Sequence, residues 1–250
     1  MLKEPTIEKL KSLRLDTFVK AYAGQCEDPA YVTMDFDERL AFLVDAECDA
    51  RDDKRLKANL RDAKLRFSSA CIEGVDFPPT RAVDKALIKR LATCGWVHDH
   101  QTVIVTGATG TGKTYVACAL AHQACRKGHR ALYRRVPRLF DELRLARAEG
   151  VTHKLFARFA RADVLVLDDF AMAPMLESER RDLLEIIEDR HGQRATILTS
   201  QLPPDKWHDY LADPTVADAI CDRILHHSPR IALKGPSRRK ELPGGARADD

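Results

Sequence analysis

From residue 101 onward, short unbroken apolar runs alternate with longer segments of mixed polarity; the runs fall at 102–106, 131–133, 164–167, 196–200 and 230–233. A run without alternating polar positions describes a strand buried on both faces, and the segments between describe helical crossovers. The pattern predicts an α/β fold with a five-stranded parallel sheet covered by helices on both sides. The beginning of the chain follows another period. Ile7, Leu10, Leu15, Phe18, Val19 and Tyr22 recur at roughly helical spacing over 6–22, and Leu40, Leu43, Val44, Leu56, Leu60 and Phe67 form a second periodic stretch. A small all-helical domain over 1–70 is therefore expected. A linker and helix over 71–95 follow, marked by Gly74 and by Pro78-Pro79, which block helix continuation, with the helix itself over 82–92. The α/β domain is expected over 96–240, and a glycine-rich, apolar-poor tail over 241–250 is expected to be disordered.

Composition changes this picture little. A chain of 250 residues that is 44% hydrophobic can bury a sizeable core. The net charge of +3, from 41 basic and 38 acidic residues, selects no class of partner until its distribution is followed. Seven cysteines, an odd number with no CxxC pair, point to reduced intracellular thiols. His98 and His100 flank Asp99 and His226 adjoins His227, but neither pair has companion ligands at metal spacing. The N-terminus has no apolar signal core and no window approaches a membrane span, so a cytoplasmic protein without membrane attachment is expected.

The candidate chemistry begins where the first strand ends. Gly107-Ala108-Thr109-Gly110-Thr111-Gly112-Lys113-Thr114 lies between that strand and a helix over 115–126, the setting of a phosphate-binding loop. Glycines let successive N–H groups converge on an anion, and the helix N-terminus adds partial positive charge. Lys113 then reaches the β- and γ-phosphates of a nucleoside triphosphate and the Thr114 hydroxyl ligates Mg²⁺, which leaves kinase, GTPase and ATPase open. About 55 residues on, Val164-Leu165-Val166-Leu167-Asp168-Asp169 is a buried strand ending in two carboxylates. Asp168 is placed to hold Mg²⁺ through its water shell, and Asp169 to orient or deprotonate the attacking water. The strand over 196–200 ends at Gln201, whose amide can touch the γ-phosphate or that water if the strand lies between the first two. A helix over 217–225 carries Arg223, and an arginine there can stabilise phosphoryl transfer on a neighbouring copy. No TKxD or NKxD motif supports guanine reading, and neither the acceptor pocket nor the lid of a small-molecule kinase is signalled.

Taken together, these residues resemble the IstB-like transposition helper ATPases, relatives of the DnaC helicase loaders within the AAA+ ATPases. The resemblance covers almost the whole chain: LKSLRLDTF over 10–18, Asp76-Phe77 with Asp84-Lys85 and Leu91-Ala92, the phosphate loop, and 165–169. It continues through Thr199-Ser200-Gln201-Leu202-Pro203 with Trp207, Asp222-Arg223-Ile224-Leu225-His226-His227-Ser228, and Leu233-Lys234-Gly235 with Ser237 and Arg239. It implies that Asp168 and Asp169 form the Walker B pair, Gln201 is sensor I, Arg223 is the arginine finger and Arg239 is the arginine of a terminal GxSxR motif that contacts nucleotide. Asp169 stands where many AAA+ proteins have Glu, Gln201 where Asn is common, and Pro236 and Arg238 depart from the usual GESxR form.

The resemblance also implies ATP-driven homo-oligomers, ATP hydrolysis, non-specific duplex DNA and a cognate transposase as partners; a helicase loader on single-stranded DNA is the alternative. Residues 134–161 correspond to the family's helical insertion after the second strand, which lines the DNA path. That segment holds eight basic residues (Arg134, Arg135, Arg138, Arg144, Arg147, Lys154, Arg158, Arg161) against three acidic ones, a net of +5. The helical domain is expected to serve self-association and contact with DNA or transposase; residues 1–50 hold 6 basic and 11 acidic side chains, whereas 51–66 hold 7 and 3.

Overall fold

A computed structural model of the chain describes residues 4–75 and 84–237. Internal contacts divide it into two units at Ala58 and Asn59, earlier than the boundary expected near residue 70. The reason is local. Asn59, in the last turns of a long helix, donates to the carbonyls of Gly128 and His129, so this end of the helix is tied to the second unit's own turns.

The first unit contains α1 (Glu4–Ser12), α2 (Asp16–Glu27), a short 3-10 turn (Pro29–Thr33) and most of α3 (Phe36–Ala63). The single periodic stretch expected over 6–22 is broken in two, because Arg14 takes a left-handed conformation with φ 59°. The break is secured by polar contacts: Arg51 donates to the Arg14 carbonyl, and the Phe18 amide to Glu47. Leu43 is buried against this unit, but Phe36, Leu40 and Val44 on another face of α3 remain exposed.

In the second unit, α4 (Lys85–Ala92) is capped by Asp84, whose carboxylate accepts from the amides of Ala86 and Leu87. After α5 (Gly95–His98) the alternation begins: β1 (Thr102–Gly107), α6 (Lys113–Arg126), β2 (Ala131–Arg135), α7 (Val136–Ala148) and α8 (Thr152–Arg161). It continues with β3 (Val164–Phe170), α9 (Glu177–Arg190), β4 (Ala195–Ser200), α10 (Trp207–Leu211), α11 (Pro214–Leu225) and β5 (Arg230–Leu233). All five strands are parallel, in the order β2-β3-β4-β1-β5. The five apolar runs thus become the five strands, and β4 lies between β1 and β3.

Burial on both faces explains why the runs carry no polar alternation: every residue of β4 is buried, as are Val164, Leu165, Val166 and Leu167. Leu139, Leu143, Phe159, Leu183 and Ile186 come from the covering helices. Burial also pushes the thiols of Cys118 and Cys125 up to about 11, which leaves them protonated and inert. No helix among the described residues is long and apolar enough to cross a membrane.

Candidate nucleotide site

The site is assembled at the C-terminal edge of the sheet, where β1, β3 and β4 end side by side. The loop from Gly107 to Gly112 leaves β1 and opens directly into α6, so amides of the loop and the first turn of a 14-residue helix face the same space. Two glycines here are dictated by close approach. A Cβ at Gly107 would lie 2.4 Å from the Leu233 carbonyl oxygen, and one at Gly110 would lie 2.7 Å from Cβ of Ser237, on the segment that follows β5. Gly110 also has φ +84°. The Gly110→Ala substitution is expected to lower ATP affinity at least about tenfold, since an L-residue costs roughly 1–2 kcal/mol in this region before the clash is counted. Titration with a fluorescent ATP analogue measures it, and an unchanged affinity would refute the tight seat of the loop under Ser237.

Within the loop, the Thr111 hydroxyl and the Lys113 ammonium both donate to the Ala108 carbonyl, at 2.8 and 3.0 Å. Thr109 donates to the Gln201 side-chain carbonyl at 2.8 Å, which brings the end of β4 onto the loop. The order of strands makes this contact possible, because β1 and β4 pair along Thr106 and Ser200.

Asp168 is fully buried and accepts from three hydroxyls. Thr114 contributes from α6 at 3.0 Å, Tyr133 from β2 at 2.6 Å and Thr199 from β4 at 2.5 Å. Burial, and then the adjacent carboxylate, hold the Tyr133 phenol far above its ordinary range, so it remains a donor. The donors suit a hard cation. Thr114 Oγ1 stands 3.0 Å from each Asp168 carboxylate oxygen, so a hydroxyl and a carboxylate, the oxygen donors a hard cation takes, stand together where they would hold Mg²⁺.

Asp169 is aimed by a bulge. The β3–β4 register shifts between Leu167 and Phe170, and Asp169 adopts φ 60°. Its amide donates to the Thr199 hydroxyl at 3.0 Å, so Thr199 orients both acids. The Asp169 carboxylate meets Arg135 Nε at 2.9 Å. Arg135 was expected on the DNA path; its position at the end of β2 instead ties it to this acid.

The remaining expected residues are not brought here. Arg223, near the end of α11, donates to the Ala219 carbonyl at 2.9 Å and pairs with Glu188 at 2.9 Å. It lines a cavity with Thr102 and Thr196, the first register pair of β1 and β4. That is the opposite edge of the sheet, one six-residue strand or about 20 Å from the phosphate loop. Arg239 lies outside the described residues.

Among the basic residues of 134–161, Arg134 is removed from the DNA set: its side chain is only 8% exposed, pairs with Glu142 and donates to the Tyr133 carbonyl. Arg144 and Arg147 are exposed but paired, with Asp141 and Asp182. Arg138 on α7 and Lys154, Arg158 and Arg161 on α8 are exposed and form no ion pair among the described residues. The last three share one face of α8 by their i, i+4, i+7 spacing.

Sequence reasoning did not find Tyr133, the double role of Thr199 or the Arg135–Asp169 pair. Hydroxyl and charged residues at strand ends were the available signal, but only the strand order assigns their partners.

Comparison with known proteins agrees with this geometry. Residues 8–243 match the family described as IstB-like ATP binding protein. The chain is 42% identical over 240 residues to y4pL of Sinorhizobium fredii, named as an insertion sequence ATP-binding protein, covering 96% of this chain and 98% of the relative. It is 46% identical over 203 residues to the named ATP-binding protein of insertion sequence IS1162 from Pseudomonas fluorescens, covering 81% and 88%. Among solved structures, AMPPCP-bound DnaA from Aquifex aeolicus superposes with a TM-score of 0.56 at 17% identity, covering 72% of this chain and 57% of that one. The DnaC helicase loader gives 0.53 at 20% identity, covering 68% and 99%. At these identities the two structures establish the fold, a P-loop NTPase of the AAA+ type. With the family match spanning nearly the whole chain and the phosphate loop, strand order and buried acid in place, this chain belongs to the IstB-like ATP binding protein family.

Proposed function

We propose that this protein is an ATP-hydrolysing regulator of DNA transposition that assembles head to tail on duplex DNA with ATP and helps a cognate transposase use its target. The observation that carries the reading is the separation of Arg223 from its own chain's phosphate loop by the length of the sheet. A finger on one edge and a nucleotide on the other are complementary only between copies, so hydrolysis depends on assembly.

The residues divide the work by position. Loop amides and Lys113 bind the phosphates, and Thr114 and Asp168 would hold Mg²⁺, which would supply charge neutralisation at the phosphates. Asp169 orients a water for in-line attack on the γ-phosphorus and takes its proton, ADP leaves, and Gln201 lies beside the loop where its amide meets the transferred group. Arg223 of a neighbour stabilises the spreading charge.

In the described arrangement Arg135 occupies the acid that must face the water. Replacing Arg135 by alanine is expected to raise hydrolysis without DNA by about three- to tenfold, the value of a partly exposed ion pair of ~1 kcal/mol. A steady-state phosphate-release assay reads it, and a fall in rate would make Arg135 a participant instead.

DNA contact is assigned to Arg138 and the α8 face. Alanine at Lys154, Arg158 and Arg161 together is expected to reduce the slope of log affinity against log salt by about two to three for duplex DNA. Arg134→Ala is expected to leave that slope unchanged, and equal effects of the two would reject the assignment.

The names of the relatives place them in insertion sequences, which favours transposition and a cytoplasmic setting. The likeness to the DnaC helicase loader keeps a loader on single-stranded DNA as the second reading. Sizing the protein with ATP and Mg²⁺, with duplex or single-stranded DNA, beside Lys113→Ala and Arg223→Ala, tests both. Large assemblies that need ATP and Lys113 and grow with duplex are expected. A chain that stays monomeric throughout overturns the assembly reading, and assembly on single strands alone favours the loader.

A further inference from the structure

The edge of the sheet that carries Arg223 holds more than one cation. A recess of about 310 Å³ opens there between the residues that precede β1, the turn after α9 and the junction of α11 with β5. Arg194, Arg223, His100, His191, His226 and His227 line it, and Asp99 is the single carboxylate among its lining residues.

The hydrogen bonds of these groups show which are available. Arg190, also on the wall, is spent on protein acceptors. Arg194 is not: one terminal N–H donates to the Gln193 carbonyl, its nearest carboxylate, Asp163, stands 3.9 Å from Nε, and Nε itself is buried with no hydrogen-bond partner. His226 and His227 are both exposed and pack edge to face with ring centroids 4.1 Å apart. They sit where the chain leaves α11, and His227 turns it into β5 with a left-handed φ of 54°.

A recess of guanidinium and imidazole N–H donors suits a phosphate group, although Asp99 lines it, Glu188 pairs with Arg223 at 2.9 Å and Asp163 stands 3.9 Å from Arg194. The chain's own nucleotide cannot supply it, since it binds at the far edge of the sheet. We infer that His226, His227 and Arg194 receive the terminal phosphates of a nucleotide held by a second copy of this chain, beside Arg223. The inference rests on the head-to-tail reading above and adds to it: the finger is one of a group of donors, with two carried by the paired histidines.

The test uses the full chain with duplex DNA. His226→Ala combined with His227→Gly removes both rings, glycine keeping the left-handed turn without strain; Arg194→Ala is examined separately. As an isolated chain without DNA, each variant is expected to bind a fluorescent ATP analogue as the unaltered chain does, because its own phosphate loop lies at the other edge of the sheet; assembled on duplex, it is expected to hydrolyse ATP about ten- to a hundredfold more slowly, the range of lost hydrogen bonds to a charged group. The decisive measurement is mixing. A subunit with the histidine changes is combined in equal amounts with an Asp169→Asn subunit, which keeps its own histidines. With random neighbours, about a quarter of head-to-tail junctions join an intact acid to an intact histidine pair, so about a quarter of the unaltered rate is expected to return.

If mixing restores nothing while the same mixture made with Arg223→Ala recovers, the histidines act within their own chain and this inference fails alone. If neither mixture recovers, the trans reading of Arg223 fails with it. If the histidine changes weaken DNA binding without nucleotide and mixing restores nothing, the recess is a DNA contact and the inference is overturned.

Discussion

Replacing Arg223 by alanine is expected to lower DNA-stimulated ATP hydrolysis by at least about a thousandfold, the lower bound for an arginine finger supplied by a neighbour. ATP affinity of the isolated chain is expected to change by less than about twofold, because sites this far apart act additively. The two halves of the prediction come from the same geometry. Arg223 is held by the Ala219 carbonyl and by Glu188, contacts local to α11 and α9, and none of its partners belongs to the phosphate loop. Losing its exposed ion pair costs the fold about 1 kcal/mol or less, so inactivity cannot be ascribed to unfolding. Rates should be measured with duplex present and above the concentration at which assemblies form. A variant that keeps its rate, or one that loses nucleotide binding as a monomer, would place the finger elsewhere.

The largest expected effect on stability belongs to Arg190. The residue is 2% exposed and forms no ion pair among the described residues, yet every arm of the guanidinium is used. Nε donates to the Thr196 hydroxyl at 3.1 Å, Nη1 to the Phe159 carbonyl and, at 2.9 Å, to that of Ala162, and Nη2 to the Ala195 carbonyl. One side chain thereby ties the end of α9 to the end of α8 and the starts of β3 and β4. Burial, reinforced by the nearby Arg194, lowers its pKa from the ordinary arginine value to about 9.

Arg190→Ala is expected to cost about 3–5 kcal/mol, since it strands buried carbonyls and opens a cavity. At this chain length that corresponds to a fall in Tm of roughly 10 °C or more. Arg190→Lys should recover only part, because an ammonium cannot reach the same acceptors in a fork. The pH dependence has a defined sign. A cation with a lowered folded pKa binds fewer protons folded than unfolded, so its desolvation penalty is fully present below pH about 9 and is relieved as pH rises above it. A shift in Tm below about 2 °C for Arg190→Ala would show the acceptors satisfied without it.

Much of this architecture was legible in the chain. The five apolar runs became the five strands because burial on both faces leaves no room for alternation, and Gly107 to Thr114 announced their loop through residues whose backbone demands few others meet. Charge counting was less informative. Eight basic residues give 134–161 a net charge of +5, but a count is blind to direction: Arg134 turns inward to Glu142, Arg135 turns to Asp169, and the open cations collect on α8 and at Arg138. Apolar spacing in the first unit predicts a helix, and α3 forms there, but spacing alone does not say which face is covered. Leu40 and Val44 fit a helical period, yet they lie on the exposed face of α3 while Leu43 is buried. The neighbours of Asp168 could not be read at all, because Tyr133 and Thr199 reach it only through lateral pairing of strands far apart in sequence.

The three hydroxyls around Asp168 have a consequence for how the site is emptied and refilled. A carboxylate held by lysine or arginine would have to surrender a charge partner whenever a cation arrived. A hydroxyl is a rotor, able to donate at one moment and to present a lone pair at the next. On the proposed reading, in which Thr114 and Asp168 would hold Mg²⁺, Thr114 would turn its proton away and offer oxygen to the cation while Tyr133 and Thr199 keep the acid in place. Loading would then cost a rotation and a single hydrogen bond, with no ion pair to break.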